Sequence, residues 1–154
     1  MISLKEIMTT DPVTLGPDDP LVKAGELMRE HRIRHVPVTK KGRLKGLITQ
    51  RDLLAAASAE DEYATVADLM RTNVYTVSDD ADMRGAALTM QKHRIGCLPV
   101  VNDGRLVGIV TDTDYVGLAI NLLEQLEVFE EAPDGYSEAD DLDQANAAVG
   151  DSTT

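Results

Sequence analysis

Very little of this chain is aromatic. Tryptophan is absent and aromatic residues make up only 3% of 154 positions. Any core must therefore be filled by Val, Leu, Ile, Ala and Met. The single cysteine, Cys97, excludes an intramolecular disulfide and fits a reducing compartment. The longest apolar run, Tyr115 to Ile120, is too short to span a bilayer. The first residues, Met1 to Glu6, lack the basic-then-apolar pattern of a secretory signal, so a soluble cytoplasmic protein is expected. Bases are missing from one end: no Lys or Arg follows Arg105, and from Glu124 onward there are 10 acids. The net charge of −12 is thus mostly a tail property, because residues 1–123 carry 17 acids and 15 bases. No basic stripe runs along the chain, which argues against broad nucleic-acid binding.

Hydrophobic residues reach 43%, enough for one domain or two small halves sharing a core. The sequence repeats itself at an offset of 62 without a gap, from Met8/Met70 onward. Identical pairs include Thr14/Thr76, Met28/Met90, His31/His93, Pro37/Pro99, Gly46/Gly108, Thr49/Thr111 and Asp52/Asp114. Two copies are too few for a solenoid, so pseudo-two-fold packing is the natural expectation.

Each copy reads as strand, helix, hairpin, helix. Ser3-Leu4-Lys5-Glu6 reads as a capping box opening a short helix to Met8. Val13 to Leu15 is predicted to be a strand, and Pro20 to open a helix to about His31 with Leu21, Ala24, Leu27 and Met28 inward. Val36 to Val38 and Leu44 to Ile48 form a hairpin across the turn Lys40-Lys41-Gly42-Arg43, with Pro37 indicating an edge or strand-start position. A second helix runs from Gln50 to about Ser58. The order then recurs: a strand at Val74 to Val77, a helix at Ala81 to His93, a hairpin at Cys97 to Val101 and Leu106 to Val110. A last helix extends from about Asp112 to Leu126, apolar on more than one face, which predicts burial on two sides, the second against the other repeat or a second subunit. The implied division is 1–59, a linker at 60–65, 66–126, and an acidic tail at 127–154 expected to be disordered.

The carrying residues are Met8, Pro12-Val13-Thr14, Ile33-Arg34-His35-Val36-Pro37-Val38 and Gly46-Leu47-Ile48-Thr49-Gln50-Arg51-Asp52. Their counterparts are Met70, Val74-Tyr75-Thr76, Ile95-Gly96-Cys97-Leu98-Pro99-Val100 and Gly108-Ile109-Val110-Thr111-Asp112-Thr113-Asp114. Over residues 1–123 this pattern resembles a tandem pair of CBS (cystathionine beta-synthase) domains, a Bateman module. The resemblance implies an α/β fold of two β-α-β-β-α repeats packed through their sheets, commonly paired into homodimers. It also implies clefts for adenosine derivatives: AMP, ADP, ATP or S-adenosylmethionine.

The residues at Thr49–Asp52 and Thr111–Asp114 carry two readings. Thr-x-x-Asp at a helix start is close to a capping box. Alternatively, Asp52 and Asp114 accept hydrogen bonds from a ribose cis-diol, while Thr49, Thr111 and nearby helix N–H groups meet ribose or phosphate. Recurrence and the resemblance favour the second reading, with capping allowed alongside. Family position places Arg34 and His35 toward ligand phosphates, which suits a guanidinium. The second copy has Gly96 and Cys97 there, so the two sites should differ. The first should prefer a phosphorylated nucleoside; the second should take a less charged adenosine group or stand empty. The charge split agrees: residues 1–59 have 7 acids and 10 bases, residues 60–123 have 10 acids and 5 bases. By the same resemblance Thr10, Val13, Thr72 and Tyr75 line the base side, with Tyr75 either stacking on adenine or filling the cleft. Pro37, Pro99, Arg51 and Thr113 fall within the same motifs and complete the expected ligand-binding set.

Other constellations are weak. His31, His35 and His93 lack metal-ligand spacing, and Asp140, Asp141 and Asp143 lack the glycine of a calcium loop. No nucleophile–base–orienter set is present, so no catalysis and no metal or redox cofactor is expected. The expected role is a regulatory sensor that acts through a separate effector protein. The alternative is a protein–protein adaptor with vestigial clefts. Neither reading calls for a membrane.

Overall fold

The computed structural model describes residues 2–58 and 63–127. The expected acidic tail beyond Glu127, and part of the 60–65 linker, lie outside the described residues. The chain divides into two compact units, Met1–Leu118 and Ala119–Thr154. The first holds both repeats; the second contains, among the described residues, the last part of one helix.

The strands are β1 (Thr9–Thr10), β2 (His35–Lys40), β3 (Arg43–Thr49), β4 (Val77–Ser78), β5 (Cys97–Asn102) and β6 (Arg105–Thr111). The helices are α1 (Leu21–His31), α2 (Gln50–Ala57), α3 (Val66–Leu69), α4 (Met83–His93) and α5 (Asp112–Leu126). Strand order is β2-β3-β6-β5-β4, with β1 also paired to β6. Both long hairpins turn over two residues of positive φ, Lys41-Gly42 and Asp103-Gly104. Such turns match the right-handed twist of the flanking strands. The hairpins touch tip to tip through the single pair Arg43↔Arg105. Backbone bonds Leu44 N to Gly104 O (3.2 Å) and Leu106 N to Gly42 O (3.1 Å) close that contact.

Helices start and stop where local chemistry dictates. Pro20 sits at the N-cap of α1 in extended conformation, and Arg32 ends that helix in the left-handed region. Asp82 and Arg94 do the same for α4. Ala24 and Met28 of α1, and Ala86 and Met90 of α4, face inward as the spacing predicts. The edge position expected from Pro37 is observed, since β2 ends the sheet. On its outer side Pro37 O accepts from Leu15 N (3.1 Å), and Thr39 N donates to Leu15 O (2.8 Å). A residue's N and O share one strand edge, so proline's missing donor falls on the outside of the sheet.

The strands expected before each long helix are shorter than predicted. Val13–Leu15 reduces to a single bridge, Leu15↔Val38, because Gly16-Pro17 turns the chain away immediately. Val74–Val77 reduces to Val77–Ser78, where no proline follows and Asp79 N still reaches Val101 O at 3.2 Å. Ser3 does not form the expected reciprocal box: its hydroxyl accepts from Lys5 N at 3.3 Å over a short 3-10 turn, Leu4–Glu6.

That turn serves another purpose. Leu4 is fully buried among Ala86, Met90, Leu98, Val100 and Val110, all from the second repeat. Its counterpart Val66 is buried among Leu15, Ala24, Met28, Val36, Val38 and Ile48 of the first. Each repeat therefore lends its leading segment to the other's core. The backbone follows: β1 pairs with β6 at Thr9↔Ile109 and Thr10↔Gly108, while Arg71 pairs with Leu47 of β3. The sequence division at 60–65 does not separate the two cores. Close approach of these crossing segments explains Gly46 and Gly108. A Cβ on Gly46 would lie 2.6 Å from Arg71 O and 2.9 Å from Met70 Sδ. One on Gly108 would lie 2.9 Å from Thr9 O and 2.8 Å from Met8 Sδ.

Within this chain helix α5 is buried on one side. Tyr115 packs against the second core and donates its hydroxyl to Met83 O at 2.7 Å. Val116, Ile120, Leu122, Leu123 and Leu126 are exposed.

Gly46→Ala and Gly108→Ala should each destabilise by about 1–3 kcal/mol, the usual cost of overpacking against backbone. Gly117→Ala, where an added Cβ meets nothing within 4 Å, should be neutral or stabilising by up to about 1 kcal/mol. Urea unfolding midpoints of the three variants check both.

Candidate functional site

The crossing segments create a cleft at the pseudo-two-fold axis. Its volume is about 640 Å³. From the first repeat come Arg34 and His35 at the start of β2, Leu47 and Thr49 on β3, and Gln50, Arg51 and Leu54 on α2. From the second come Arg71, Asn73, Val74 and Tyr75 on its leading segment, then Arg94, Ile95, Gly96 and Cys97, and Asp112 at the start of α5. Pairs related by the repeat, Arg34/Gly96, His35/Cys97 and Gln50/Asp112, thus face one space.

Of the residues singled out from sequence, Arg34, His35, Thr49, Arg51, Tyr75, Gly96 and Cys97 line this cleft. Thr10, Val13, Pro37, Asp52, Thr72, Pro99, Thr111, Thr113 and Asp114 are not among its lining residues. Pro37 and Pro99 are fully buried between neighbouring strands. Thr10 pairs with Gly108 on β6, away from Thr49. Tyr75 sits beside Thr49 rather than Thr111, because its leading segment lies against β3. Its ring stacks on His93 at 4.0 Å between centroids, while half of the residue stays exposed.

The two Thr-x-x-Asp motifs are built as caps. Thr49 Oγ1 accepts from Asp52 N at 3.2 Å, and Thr49 N donates to Asp52 Oδ2 at 3.1 Å. Asp114 Oδ2 accepts from Thr111 N at 2.8 Å and from Thr111 Oγ1 at 3.3 Å. Asp52 alone gains a second partner: its Oδ1 accepts from Arg71 Nε at 3.0 Å and Arg71 Nη2 at 2.8 Å. Burial pushes the Asp52 carboxyl up, but the hydrogen bonds from Arg71 and Thr49 and the guanidinium charge outweigh it and hold Asp52 below the usual carboxylate range. Where the second repeat has Arg71, the first has Thr9, so no matching guanidinium reaches Asp114 from that position.

Four arginines against one aspartate leave the cleft positive. His35 does not add to this at neutral pH. Its burial and the nearby Arg34 lower its pKa, against upward pulls from Asp112 and Asp52. Cys97 is buried, and burial with Asp112 nearby pushes its thiol up to about 12. It is a wall residue, not a nucleophile. Among the described residues no cluster of His, Cys, Asp and Glu is arranged to hold a metal ion. No helix among them is long and apolar enough to cross a membrane.

The residues that sequence reasoning missed are Leu47, Gln50, Leu54, Arg71, Asn73, Val74, Arg94, Ile95 and Asp112. A usable signal existed for two of them: Arg71 and Asp112 are positions where the otherwise matched repeats differ in charge, from Thr9 and Gln50.

The CBS domain family profile matches residues 4–59 and again 66–120. The chain belongs to the CBS domain family. It is 34% identical over 123 residues to the CBS domain-containing protein YhcV of Bacillus subtilis, covering 79% of this chain and 86% of that one. It is 37% identical to a longer 33.4 kDa protein of Thermofilum pendens, of whose length it spans 43%. Among crystal structures, a Vibrio cholerae protein assigned to acetoin utilization, AcuB, superimposes with TM-score 0.75 at 43% identity. That match covers 85% of this chain and 99% of AcuB. The CBS domain pair of protein MJ0100, bound to 5′-methylthioadenosine and S-adenosylmethionine, gives TM-score 0.74 at 31% identity, over 79% of this chain and 98% of that one. CBSX2 bound to AMP gives 0.74 at 26% identity, over 80% and 99%. This CBS pair therefore shares its fold with ligand-binding relatives.

Two measurements check the site's electrostatics. A histidine whose folded pKa is lowered leaves the unfolded state binding more protons below about pH 6.5. His35 should thus make stability fall as pH drops from 7 toward 5.5, and His35→Gln should show a shallower decline in thermal scans. Cys97 should resist a thiol reagent at pH 8 in the native protein and react once the chain is unfolded in denaturant.

Proposed function

We propose that this chain is a non-catalytic regulatory module that binds an adenosine-containing ligand in the cleft between its repeats. The observation that carries the reading is the cleft itself. It joins arginines suited to phosphate with an apolar wall of Leu47, Val74 and Ile95 suited to a base, beside the N-terminus of α2. The ligands bound by the CBS pairs of MJ0100 and CBSX2 support adenosine as the common group.

Asp52 does not line the cleft and is largely covered by Arg71, so ribose binding by Asp52 is under a constraint. An ionised carboxylate offers about four acceptor positions. Thr49 N and two Arg71 donors occupy three of them, leaving room for one ribose hydroxyl unless Arg71 withdraws. Ligand would act by binding one dimer shape better than another, and only by that difference in affinity. The exposed apolar residues Val22 and Leu54, on α1 and α2, support self-association into a homodimer. Output then passes to a separate effector protein.

A thermal-shift screen with AMP, ADP, ATP, S-adenosylmethionine and 5′-methylthioadenosine tests the reading. A ligand at 100 times its Kd should stabilise the fold by about 2.7 kcal/mol. No shift with any adenosine ligand would leave the adaptor as the better description. A 2′-deoxyadenosine nucleotide matching its ribose parent in affinity would remove Asp52 from the ligand.

A further inference from the structure

We propose that Arg71 is the residue that makes this cleft select phosphorylated adenosine ligands over sulfonium or uncharged ones. The inference rests on the adenosine reading of the cleft and adds which class of ligand it takes and why.

Arg71 enters the site from outside the motif that builds it. It belongs to the second repeat's leading segment, is anchored by paired backbone bonds to Leu47 (2.9 and 2.8 Å), and turns its side chain onto Asp52 of the first repeat. Asp52 is largely buried, its side chain 10% exposed, whereas that of Arg71 is 61% exposed and lines the cleft. Two consequences follow. Asp52 is neutralised, so its charge no longer repels an incoming anion. The guanidinium is also held in place: two of its five N–H donors are spent on Asp52 Oδ1, and three remain. A pre-positioned guanidinium loses less freedom when it meets phosphate than a free side chain would.

Arg34, Arg51 and Arg94 line the same cleft, with Asp112 the opposing acid and His35 kept largely neutral at pH 7 by burial. A phosphate chain suits that field, and each phosphate added gains from it. S-adenosylmethionine carries a sulfonium cation where the phosphates would lie. 5′-Methylthioadenosine carries no charge there. Removing Arg71 would turn a shielded Asp52 into an exposed anion beside the ligand, lowering affinity for phosphates while favouring the sulfonium.

Isothermal titration calorimetry on the full chain, with ATP, AMP, S-adenosylmethionine and 5′-methylthioadenosine, provides the test. In Arg71→Gln, ATP affinity should fall roughly 10- to 100-fold, the range of a lost charge-assisted hydrogen bond. 5′-Methylthioadenosine should change less than about threefold, and S-adenosylmethionine should bind equally or more tightly. Arg71→Lys keeps the charge without the two-donor grip on Asp52 and should restore part of the ATP affinity. A parallel loss for all four ligands would show Arg71 to be only a structural tie. Unchanged ATP affinity would also overturn the proposal. Failure of the unmodified chain to bind any of the four would instead overturn the adenosine reading beneath it. If Arg71→Gln unfolds, Arg71→Met reads the same ratio.

Discussion

Everything distinctive about this molecule depends on two short stretches of backbone crossing between the repeats. Thr9 lies against Ile109, and Arg71 lies against Leu47. The hairpins meet only at their tips, through Arg43 and Arg105, and leave the inner edges of β3 and β6 unpaired further along. Unpaired backbone groups in a protein interior are costly, so each edge needs a partner. The leading segment of the opposite repeat supplies it. Leu4 and Val66 then complete the two cores from the far side. Neither repeat holds all of its own core, which binds the two into one folded unit more firmly than tip contacts would.

The same crossing makes the cleft asymmetric. A duplication creates two equivalent positions at every point, but only substitutions since the duplication make them unequal. Arg71 opposite Thr9, Asp112 opposite Gln50, and Arg34 with His35 opposite Gly96 with Cys97 all gather around one axis. The basic half and the acidic half read along the chain both contribute to this cleft. Arg71 and Arg94, from the acidic half, bring their charge into a cleft whose other cations are Arg34 and Arg51. The structure also separates the two copies of the Thr-x-x-Asp motif. Both cap helices, and Asp52 additionally holds the guanidinium of Arg71.

The helices and hairpins were legible in the residues because their causes are local. Lys41-Gly42 and Asp103-Gly104 can adopt the positive φ values a tight hairpin needs. Ala24 and Met28 recur at helical spacing, and α5 begins at Asp112 and runs to Leu126 as its apolar pattern indicates. Errors gathered where pairing is non-local. The strands expected at Val13–Leu15 and Val74–Val77 shrank, while pairing appeared at Thr9–Thr10, where two threonines show no alternating pattern. Gly46 and Gly108 were visible as repeated glycines, yet the neighbour that requires them comes from the other repeat.

Sequence alone determined that there are two copies in one register and that they form α/β units of the CBS kind, and it singled out Thr49, Arg34 and His35, which line the cleft. Identity at a constant offset and turn, cap and periodicity signals are properties of neighbouring residues, and they survive without knowledge of the fold. Tertiary structure decided which copy's leading segment meets which copy's strand. It therefore decided that Tyr75 stands with Thr49 and that Arg71 rests on Asp52. Those partnerships are fixed by backbone hydrogen bonds between distant segments, and such bonds can form with nearly any side chain. They leave no mark in the sequence except the glycines that make room for them.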